Sequence, residues 1–186
     1  MADNSSRVGT VELRFEGDQG GVTGWTLAGA SGVDRELDGL PTTFGDFPDG
    51  EMAEGPPAHP NGATAIDHVV IQSPDVERTV AALEEIGLAE RRRRVATEHS
   101  SPLLQVFFRT GEVIVELIGS PSKVGDGPAE FFGLAFTVAD LEALGAAGEP
   151  VGEMKPAIQP GRSRRSVRTA DIGVSVPLLF LSPQAA

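Results

Sequence analysis

The stretch IDHVVIQSPDVERTVAALEEIGL, residues 66–88, decides the fold. Its first six residues are rich in β-branched side chains and predict a strand. Ser73-Pro74-Asp75 then predicts a helix start, with the serine as N-cap and the proline at the first helical position. Gly87 stands where a left-handed residue ends a helix. One apolar stripe with helical spacing lies between these signals: Val76, Val80, Leu83 and Ile86.

Three more strands are predicted after this helix, which gives the order β-α-β-β-β. Their alternating or apolar patterns are typical of strands. Thr110-Gly111 predicts a tight turn between the last two. The three strands are Ala89–Thr97, Leu103–Arg109 and Glu112–Ile118.

A weaker copy of the same order follows in the C-terminal part of the chain. His68 precedes Asp75 by the same spacing as Gly133 precedes Asp140, and a Glu follows each Asp by two positions. An internal repeat of this kind predicts two similar units that pack together. The predicted elements are a strand at Leu134–Val138, a short helix from Ala139, and strands at Val151–Met154, Arg164–Thr169 and Val174–Leu181.

The N-terminal third is less regular. Val8–Phe15 and Val22–Leu27 predict short strands, whereas the Pro-rich and Gly-rich segment from Asp34 to Asn61 predicts an irregular connection. We therefore divide the chain into an extension, residues 1–62, and a domain, residues 63–186, with modules at about 63–120 and 131–183. The N-terminal strands are expected to cover an edge of the domain's sheet or to pair with it.

Composition excludes several classes of function. The 186 residues carry a formal net charge of -12, which argues against a nucleic-acid partner, and there is no cysteine for disulfides or thiolate chemistry. No apolar run approaches the roughly 20 residues that a membrane span needs. The polar residues Met1–Arg7 lack the apolar stretch of a secretory signal, so we expect a cytoplasmic protein without membrane or nucleic-acid partners.

Three segments resemble the vicinal-oxygen-chelate superfamily, which includes glyoxalases, extradiol dioxygenases, epimerases and bleomycin-resistance proteins. They are IDHVVIQSPDVERTVAALEEIGL, VFFRTGEVIVELIG and GLAFTVADLEAL. The resemblance implies an α+β fold in which two βαβββ modules form a partly open, eight-stranded, glyoxalase-like sheet around a cleft. It specifies the fold better than the chemistry, because the superfamily spans several reaction classes.

The resemblance also implies a metal site. In the family's enzymes each module offers two ligands, one on its first strand and one on its last, and in module one these positions hold His68 and Glu116. Imidazole and carboxylate suit Zn, Mn, Ni or Fe. Strand alternation places His68 and Gln72 on one face of their strand, and Glu116 and Ile118 on one face of theirs. We expect these two faces to border the same cavity, so that both ligands point into it.

Module two departs from this pattern. Gly133 stands in place of the second histidine, and Leu179 stands near the place of the second carboxylate. A third ligand could come from His99, Gln105, Gln72 or Gln159, although no spacing requires it. No cofactor is therefore firmly implied, and a divalent ion at His68 and Glu116 stays an alternative.

Six further residues are candidates for ligand contact: Gln72, Gln105, Phe107, Phe132, Gln159 and Arg162. Each also has a structural interpretation, since strand aromatics are commonly core, and Trp25 could fill the same space. Arg162 could receive a carboxylate or phosphate, or could be a solvated loop residue. The run Arg91–Arg94 predicts either an anion site or a charged edge strand.

Two hypotheses of function follow. The first is a small-molecule binder that uses the cleft between the modules without the four-ligand metal site. The second is a metal-dependent lyase, isomerase or dioxygenase with a rearranged site at His68 and Glu116, where these two residues are catalytic. Whether the protein is an enzyme is left open by the sequence. Dimers are common in the resembled superfamily, so a homodimer is an expected assembly.

Overall fold

The computed structural model describes residues 5–8, 10–14, 21–28, 32–45, 59–97, 101–146 and 148–184. Within these ranges the protein is α+β, with the helices α1 Val76–Glu84 and α2 Leu141–Ala146 and a 3-10 helix at Thr169–Ile172. The strands are β1 Ser5–Val8, β2 Val11–Arg14, β3 Trp25–Ala28, β4 Arg35–Leu37, β5 Leu40–Gly45, β6 Ala63–Gln72, β7 Arg92–Ala96, β8 Leu103–Thr110, β9 Val113–Gly119, β10 Glu130–Val138, β11 Lys155–Pro156, β12 Ser163–Ser166 and β13 Leu178–Leu181.

Eight strands form one mixed sheet in the order β11-β12-β13-β10-β6-β9-β8-β7. This order contains the same pattern twice, because β9, β8 and β7 follow β6 just as β13, β12 and β11 follow β10. Each module thus places its last strand beside its first. The predicted pair of βαβββ modules and the eight-stranded sheet are confirmed. None of the helices in the described ranges is long and apolar enough to cross a membrane.

The chain divides into two compact units. The first unit comprises Met1–Gly21, Met52–His68 and Gly133–Ala186, and it holds most of the second module. The second unit comprises Val22–Glu51 and Val69–Phe132, and it holds most of the first module.

Helix α1 covers one face of the sheet in the second unit. Val76, Val80 and Leu83 of the helix are at most 7% exposed. A Cβ added at Gly119 of β9 would lie 2.5 Å from Cγ2 of Val76, so the helix and the strand are in close contact. Burial of each such side chain contributes roughly 1.5–3 kcal/mol. The strand residues buried on this face are Val69, Ile71, Leu104, Val106, Phe108, Val115 and Leu117.

The start of α1 differs from the prediction. Asp75, rather than Ser73, is the N-cap, because its side chain accepts a hydrogen bond from the backbone N of Arg78 at 3.2 Å. Ser73 is buried instead, where its hydroxyl accepts from the Asp75 backbone N at 3.0 Å and lies 2.7 Å from the Thr79 hydroxyl. Gly87 has a φ of 85°, which confirms the predicted left-handed residue after the helix.

In the first unit, β10 and β13 run parallel, with Leu134 opposite Leu178 and Thr137 opposite Leu181. Helix α2 buries Leu141 and Leu144. The end of the second module is less regular than predicted. The expected strand Val151–Met154 is reduced to one bridge from Val151 to Val167. The strand expected from Val174 begins only at Leu178. The strand expected at Arg164–Thr169 ends at Ser166, and its last residue, Thr169, begins the 3-10 helix.

The N-terminal strands form two small sheets of their own. The strand predicted at Val8–Phe15 is a hairpin of β1 and β2, in which Val8 pairs with Val11, and Phe15 lies outside the described residues. Strands β3, β5 and β4 form a three-stranded sheet, so the irregular connection predicted from Asp34 is wrong for β4 and β5. Of the two arrangements expected for these strands, pairing with the large sheet is wrong within the described ranges.

Candidate functional site

The face of the second unit's sheet opposite α1 carries polar side chains, and we call it the open face. In the antiparallel register Gln105 lies opposite Ile118, and Phe107 lies opposite Glu116. Side chains directly opposite each other, and those two residues apart along a strand, share a face. Three of the predicted site residues, Gln105, Phe107 and Glu116, are therefore brought together on one surface.

A chain of hydrogen bonds fixes the polar groups of this face. Nε of Arg94 donates to Oε1 of Gln105 at 2.6 Å, and Nε2 of Gln105 donates to Oε1 of Glu116 at 2.5 Å. Gln105 is only 5% exposed, and these two bonds satisfy both ends of its buried amide within the protein. Glu116 is thus held by an ordered amide, and Arg94, predicted only as part of the run Arg91–Arg94, contacts that amide.

The arginine run otherwise fits the predicted charged edge. Strand β7 is the last strand of the sheet, and Arg92 is exposed. Arg93 pairs with Glu77 at 2.5 Å and with Glu90 at 2.7 Å, and its hydrogen bond lowers the pKa of the Glu90 carboxyl. Because such charges discourage pairing with another strand, the arginine run protects this edge. Arg92 and Arg94 lie opposite Phe107 and Gln105, on the side of the open face, and Arg94 is bonded to Gln105 there.

A cavity of about 470 Å³ lies in the second unit where β6, β8 and β9 meet the loop before β10. This volume falls within the range of roughly 300–1,000 Å³ that is usual for organic ligands. Leu103 and Ile118 extend the open face into the cavity, and the predicted ligand residue Gln72 lies in its wall. The lining residues are Gln72, Ser73, Pro74, Leu103, Ile118, Gly119, Ser120, Val124, Gly127, Pro128 and Glu130.

The lining is mainly apolar and carries a single ionisable side chain, Glu130, among the described residues. Lys123 precedes the lining residue Val124 in the sequence, and its Nζ lies 3.2 Å from Asp75 and 2.7 Å from Asp126. These contacts raise the pKa of Lys123, first through its hydrogen bond to Asp126, and lower the pKa of Asp126 in return. The positive charge beside the cavity is therefore already matched by carboxylates.

A second polar cluster lies in the first unit around Asp67, a residue that sequence reasoning missed. Its Oδ2 lies 2.8 Å from Nδ1 of His68, and its Oδ1 lies 2.6 Å from Nη2 of Arg162. The hydroxyl of Thr137 donates to Oδ1 at 3.3 Å. The side chains of Asp67, His68 and Arg162 are only 10%, 12% and 5% exposed. A buried carboxylate needs such partners. The position of Asp67 in a strand with a buried face was therefore the sequence feature that could have predicted this cluster.

The charge state of Asp67 determines how His68 is oriented. Burial by itself would raise the pKa of Asp67, but the hydrogen bonds from His68 and Arg162 outweigh it and hold the pKa at about 2. An ionised carboxylate only accepts hydrogen bonds, so Nδ1 of His68 must carry a proton. In the neutral imidazole, Nε2 is then the nitrogen with the lone pair.

The sequence-based alternative of Arg162 as a solvated loop arginine is wrong. The residue is 6% exposed, and Nε donates to the carbonyl of Ser182 at 2.8 Å in addition to the contact with Asp67. The other two candidates are less enclosed. Phe132 is 41% exposed, and Gln159 is half-buried in the loop before β12, with its carbonyl accepting from the backbone N of Arg162 at 3.2 Å.

Trp25 belongs to the second unit and is not among the residues that line the cavity there. Nε1 donates to the hydroxyl of Thr42 at 2.7 Å, and the ring packs edge-on against Phe131 with centroids 5.4 Å apart. These contacts tie the three-stranded sheet of the extension to β10. Trp25 is therefore a packing residue of its own sheet.

The donors present do not fit the four-ligand metal set that the resemblance implies. Gly133 has no donor side chain, and a Cβ added there would lie 2.6 Å from the carbonyl oxygen of Pro177, so that any side chain would force the backbone to shift. Leu179, paired with Ala135, offers no donor atom. Across the described ranges no three His, Asp or Glu side chains are grouped to hold a metal ion. The candidate third ligand His99 lies outside these ranges.

The predicted pair His68 and Glu116 divides between the two units, with Asp67 as a partner of the histidine and Gln105 as a partner of the glutamate. Each residue therefore has a defined orientation within its own unit. A histidine held by a carboxylate can accept a proton, and a carboxylate held by an amide can receive a donor group of a ligand.

Solved structures with similar folds include methylmalonyl-CoA epimerases. The enzyme from Mycobacterium tuberculosis has a TM-score of 0.54 and 14% identity, over 68% of this chain and 93% of that one. A selenomethionine form of methylmalonyl-CoA epimerase has a TM-score of 0.50 and 18% identity, over 64% and 95%. The Streptomyces coelicolor enzyme, in complex with 2-nitronate-propionyl-CoA, has a TM-score of 0.50 and 20% identity, over 66% and 99%.

No protein-family model matches the sequence, and no curated protein matches it either. The structural likeness establishes the fold: the chain has the glyoxalase-like α+β fold that these epimerases share. The resemblance predicted from the two modules is thereby confirmed for the fold. At this level of identity the likeness carries the fold alone, so the activity must be argued from the residues of this chain.

Proposed function

We propose that the protein binds a small, largely apolar organic molecule in the cavity of the second unit, without a four-ligand metal site. The observation that carries the proposal is the cavity of about 470 Å³ that continues the open face bearing Gln105, Phe107 and Glu116. Apolar walls supply most of the binding free energy for such a ligand, and a few fixed polar groups orient it.

The charges around the cavity favour a neutral or cationic ligand. Glu130 can pair with an ammonium group, and the amide of Gln72 can both donate and accept a hydrogen bond. The Streptomyces coelicolor neighbour binds a CoA derivative, whose phosphates need cationic partners. Among the described lining residues there is no lysine or arginine, so we propose a ligand without phosphate groups.

A second candidate function is proton transfer of the lyase or isomerase type, with His68 as the base. It is favoured by the contact between Asp67 and Nδ1, which leaves Nε2 as the basic nitrogen. Once a ligand is known, incorporation of deuterium from D₂O into that ligand would test this candidate. Incorporation by the wild-type protein that stops in His68→Gln would support catalysis; incorporation that persists in this variant would contradict it.

The binding proposal is tested with Nile red, a neutral apolar dye whose fluorescence rises in apolar sites. Ile118→Trp fills the cavity from the open face and is expected to weaken dye binding about tenfold, the factor that a loss of about 1.4 kcal/mol produces. Val95→Trp is the matched control, since Val95 is 50% exposed on the edge strand β7 and does not line the cavity.

Two outcomes would overturn the proposal. If Ile118→Trp binds the dye as well as the wild-type protein does, the cavity is not the binding site. If an anionic dye such as anilinonaphthalene sulfonate binds at the same site more tightly than Nile red, the proposed charge preference is wrong. The expected result for Glu130→Gln is unchanged affinity for the neutral dye and weaker binding of benzyltrimethylammonium, a small aromatic cation.

A further inference from the structure

The turn between β4 and β5 lies against the loop that forms one wall of the cavity. Asp38 and Gly39 form this turn, with φ values of 50° and 90°. A Cβ added at Gly39 would lie 2.2 Å from Cβ of Pro128, so the turn approaches the loop as closely as a glycine permits. Pro128 is itself a lining residue of the cavity.

Asp38 connects this turn to both the helix and the loop. Its Oδ1 accepts from Nε of Arg78 at 2.6 Å, and Oδ2 accepts a short hydrogen bond from the hydroxyl of Thr79. Its carbonyl accepts from the backbone N of Ala129 at 2.8 Å. The Asp38 side chain is 8% exposed, so these bonds form in a poorly solvated environment where they are strong.

Arg78 extends the same network to the next part of the loop. Its Nη2 donates to the carbonyl of Gly127 at 2.5 Å, and its Nη1 lies 3.5 Å from the carbonyl of Asp126. One residue of the extension therefore holds Arg78 through its carboxylate and Ala129 through its backbone carbonyl, and these hold residues 126–129. Gly127 and Pro128, both within that stretch, line the cavity.

We propose that Asp38 is a positioning residue for ligand binding, through which the N-terminal extension sets the shape of the cavity and so the size of ligand accepted. This inference rests on the proposed function, because it concerns the same cavity. The extension supplies the β4–β5 turn, which holds residues 126–129 of the cavity wall in two ways: the Asp38 carbonyl bonds to the backbone of Ala129, and the Asp38 carboxylate holds Arg78 against the carbonyls of Asp126 and Gly127. Discrimination between ligands of different size therefore depends on Asp38, although Asp38 does not line the cavity.

The test compares two neutral dyes of different size, N-phenyl-1-naphthylamine and the larger Nile red, on the full chain. The quantity measured is the ratio of their dissociation constants. Asp38→Ala removes the carboxylate and is expected to change this ratio about tenfold, the effect of losing hydrogen bonds to a charged group. Asp38→Asn keeps an acceptor for Arg78 and tolerates the positive φ, so it is expected to restore a near-wild-type ratio.

Glu36→Ala is the matched control, because Glu36 is an exposed residue of β4 just before the turn. A second measurement, hydrogen exchange of residues 124–131 by mass spectrometry, does not need a ligand. Faster exchange of this segment in Asp38→Ala, absent from Glu36→Ala, is the expected result, because Arg78 loses the carboxylate that holds it against the carbonyls of Asp126 and Gly127.

A loss of affinity by the same factor for both dyes would overturn the inference, because general destabilisation weakens both alike. Unchanged exchange of residues 124–131 in Asp38→Ala would also overturn it. If the wild-type protein binds neither dye, the proposed function fails, and the exchange measurement still decides whether Asp38 holds the loop.

Discussion

Nη2 of Arg162 lies 2.6 Å from Oδ1 of Asp67, and both side chains are at least nine-tenths buried. A buried ion pair repays the cost of desolvation only when its remaining polar atoms are also satisfied. Here His68 and Thr137 contact the carboxylate, and Ser182 accepts from the guanidinium. The pair is therefore part of a network whose members depend on one another.

Removal of one member of the pair is expected to destabilise the fold strongly. Arg162→Met leaves the Asp67 carboxylate buried without its main partner, and we expect the free energy of unfolding to fall by about 3 kcal/mol. Urea unfolding measures this change. Arg164→Met is the control, since that guanidinium makes a 3.5 Å contact with Ser166 near the surface. Equal losses in the two variants would contradict the role given to the buried pair.

The same network predicts a pH dependence of stability. The pKa of Asp67 is about 2 in the folded protein, against 3.8 for the free group. A lowered folded pKa stabilises the protein above the unfolded value, and this contribution is lost as the pH falls from about 4 to about 2. The loss amounts to about 2 kcal/mol, and Asp67→Asn should lack it. Unfolding curves of the two proteins that stay parallel between these pH values would contradict the prediction.

The two described histidines are expected to differ in tautomer. His68 contacts a carboxylate through Nδ1, so its proton lies on Nδ1. His59 lies with Nε2 2.5 Å from the carbonyl of Arg7, so its proton lies on Nε2. Long-range ¹H–¹⁵N correlation at a pH of about 8, above the ordinary histidine pKa, distinguishes the two forms.

Asp67→Ala supplies the control for this measurement. Without the carboxylate, His68 should no longer keep its proton on Nδ1 alone, so its signals should change. The signals of His59 should stay unchanged, because His59 has a separate partner. A wild-type His68 found with its proton on Nε2 would show that Asp67 does not orient the ring.

The parts of the fold that the sequence predicts are those with local causes. Helix α1 and strand β9 follow from apolar periodicity, and Gly87 from the need for a positive φ. The hairpin of β4 and β5 was missed although Asp38-Gly39 is a favourable turn pair, because the prolines around it favoured an irregular segment. Its buried residues, Leu37 and Leu40, show that tertiary packing decides its structure.

The candidate site was predictable to a similar degree. Gln105, Phe107 and Glu116 share a face because strand alternation and a tight turn fix their register. Asp67 and Arg162 could not be paired from the sequence, since they are far apart along the chain and no periodic pattern links them. The cavity also depends on the loop before β10, whose course is set by the contact with Asp38.

Gly133 gives a prediction about stability that bears on the metal site. Gly133→Ala places a Cβ 2.6 Å from the Pro177 carbonyl, which must shift, and we expect a loss of about 1–3 kcal/mol in urea unfolding. Gly152→Ala is the control, because its nearest neighbour would be the Ser166 carbonyl at an ordinary 3.6 Å. If both variants were equally stable, the close approach at Gly133 would not be a constraint.

The donor set predicts weak binding of divalent metals. A metal site keeps about three protein ligands, whereas neither Gly133 nor Leu179 offers a donor side chain. After incubation with Zn, Mn, Ni or Fe(II) and dialysis without chelator, we expect well below one ion per chain by elemental analysis. Retention of one ion per chain that is lost in His68→Ala would contradict this prediction. Glu112→Ala, at an exposed carboxylate in the turn before β9, is the control for ions held only by surface charge.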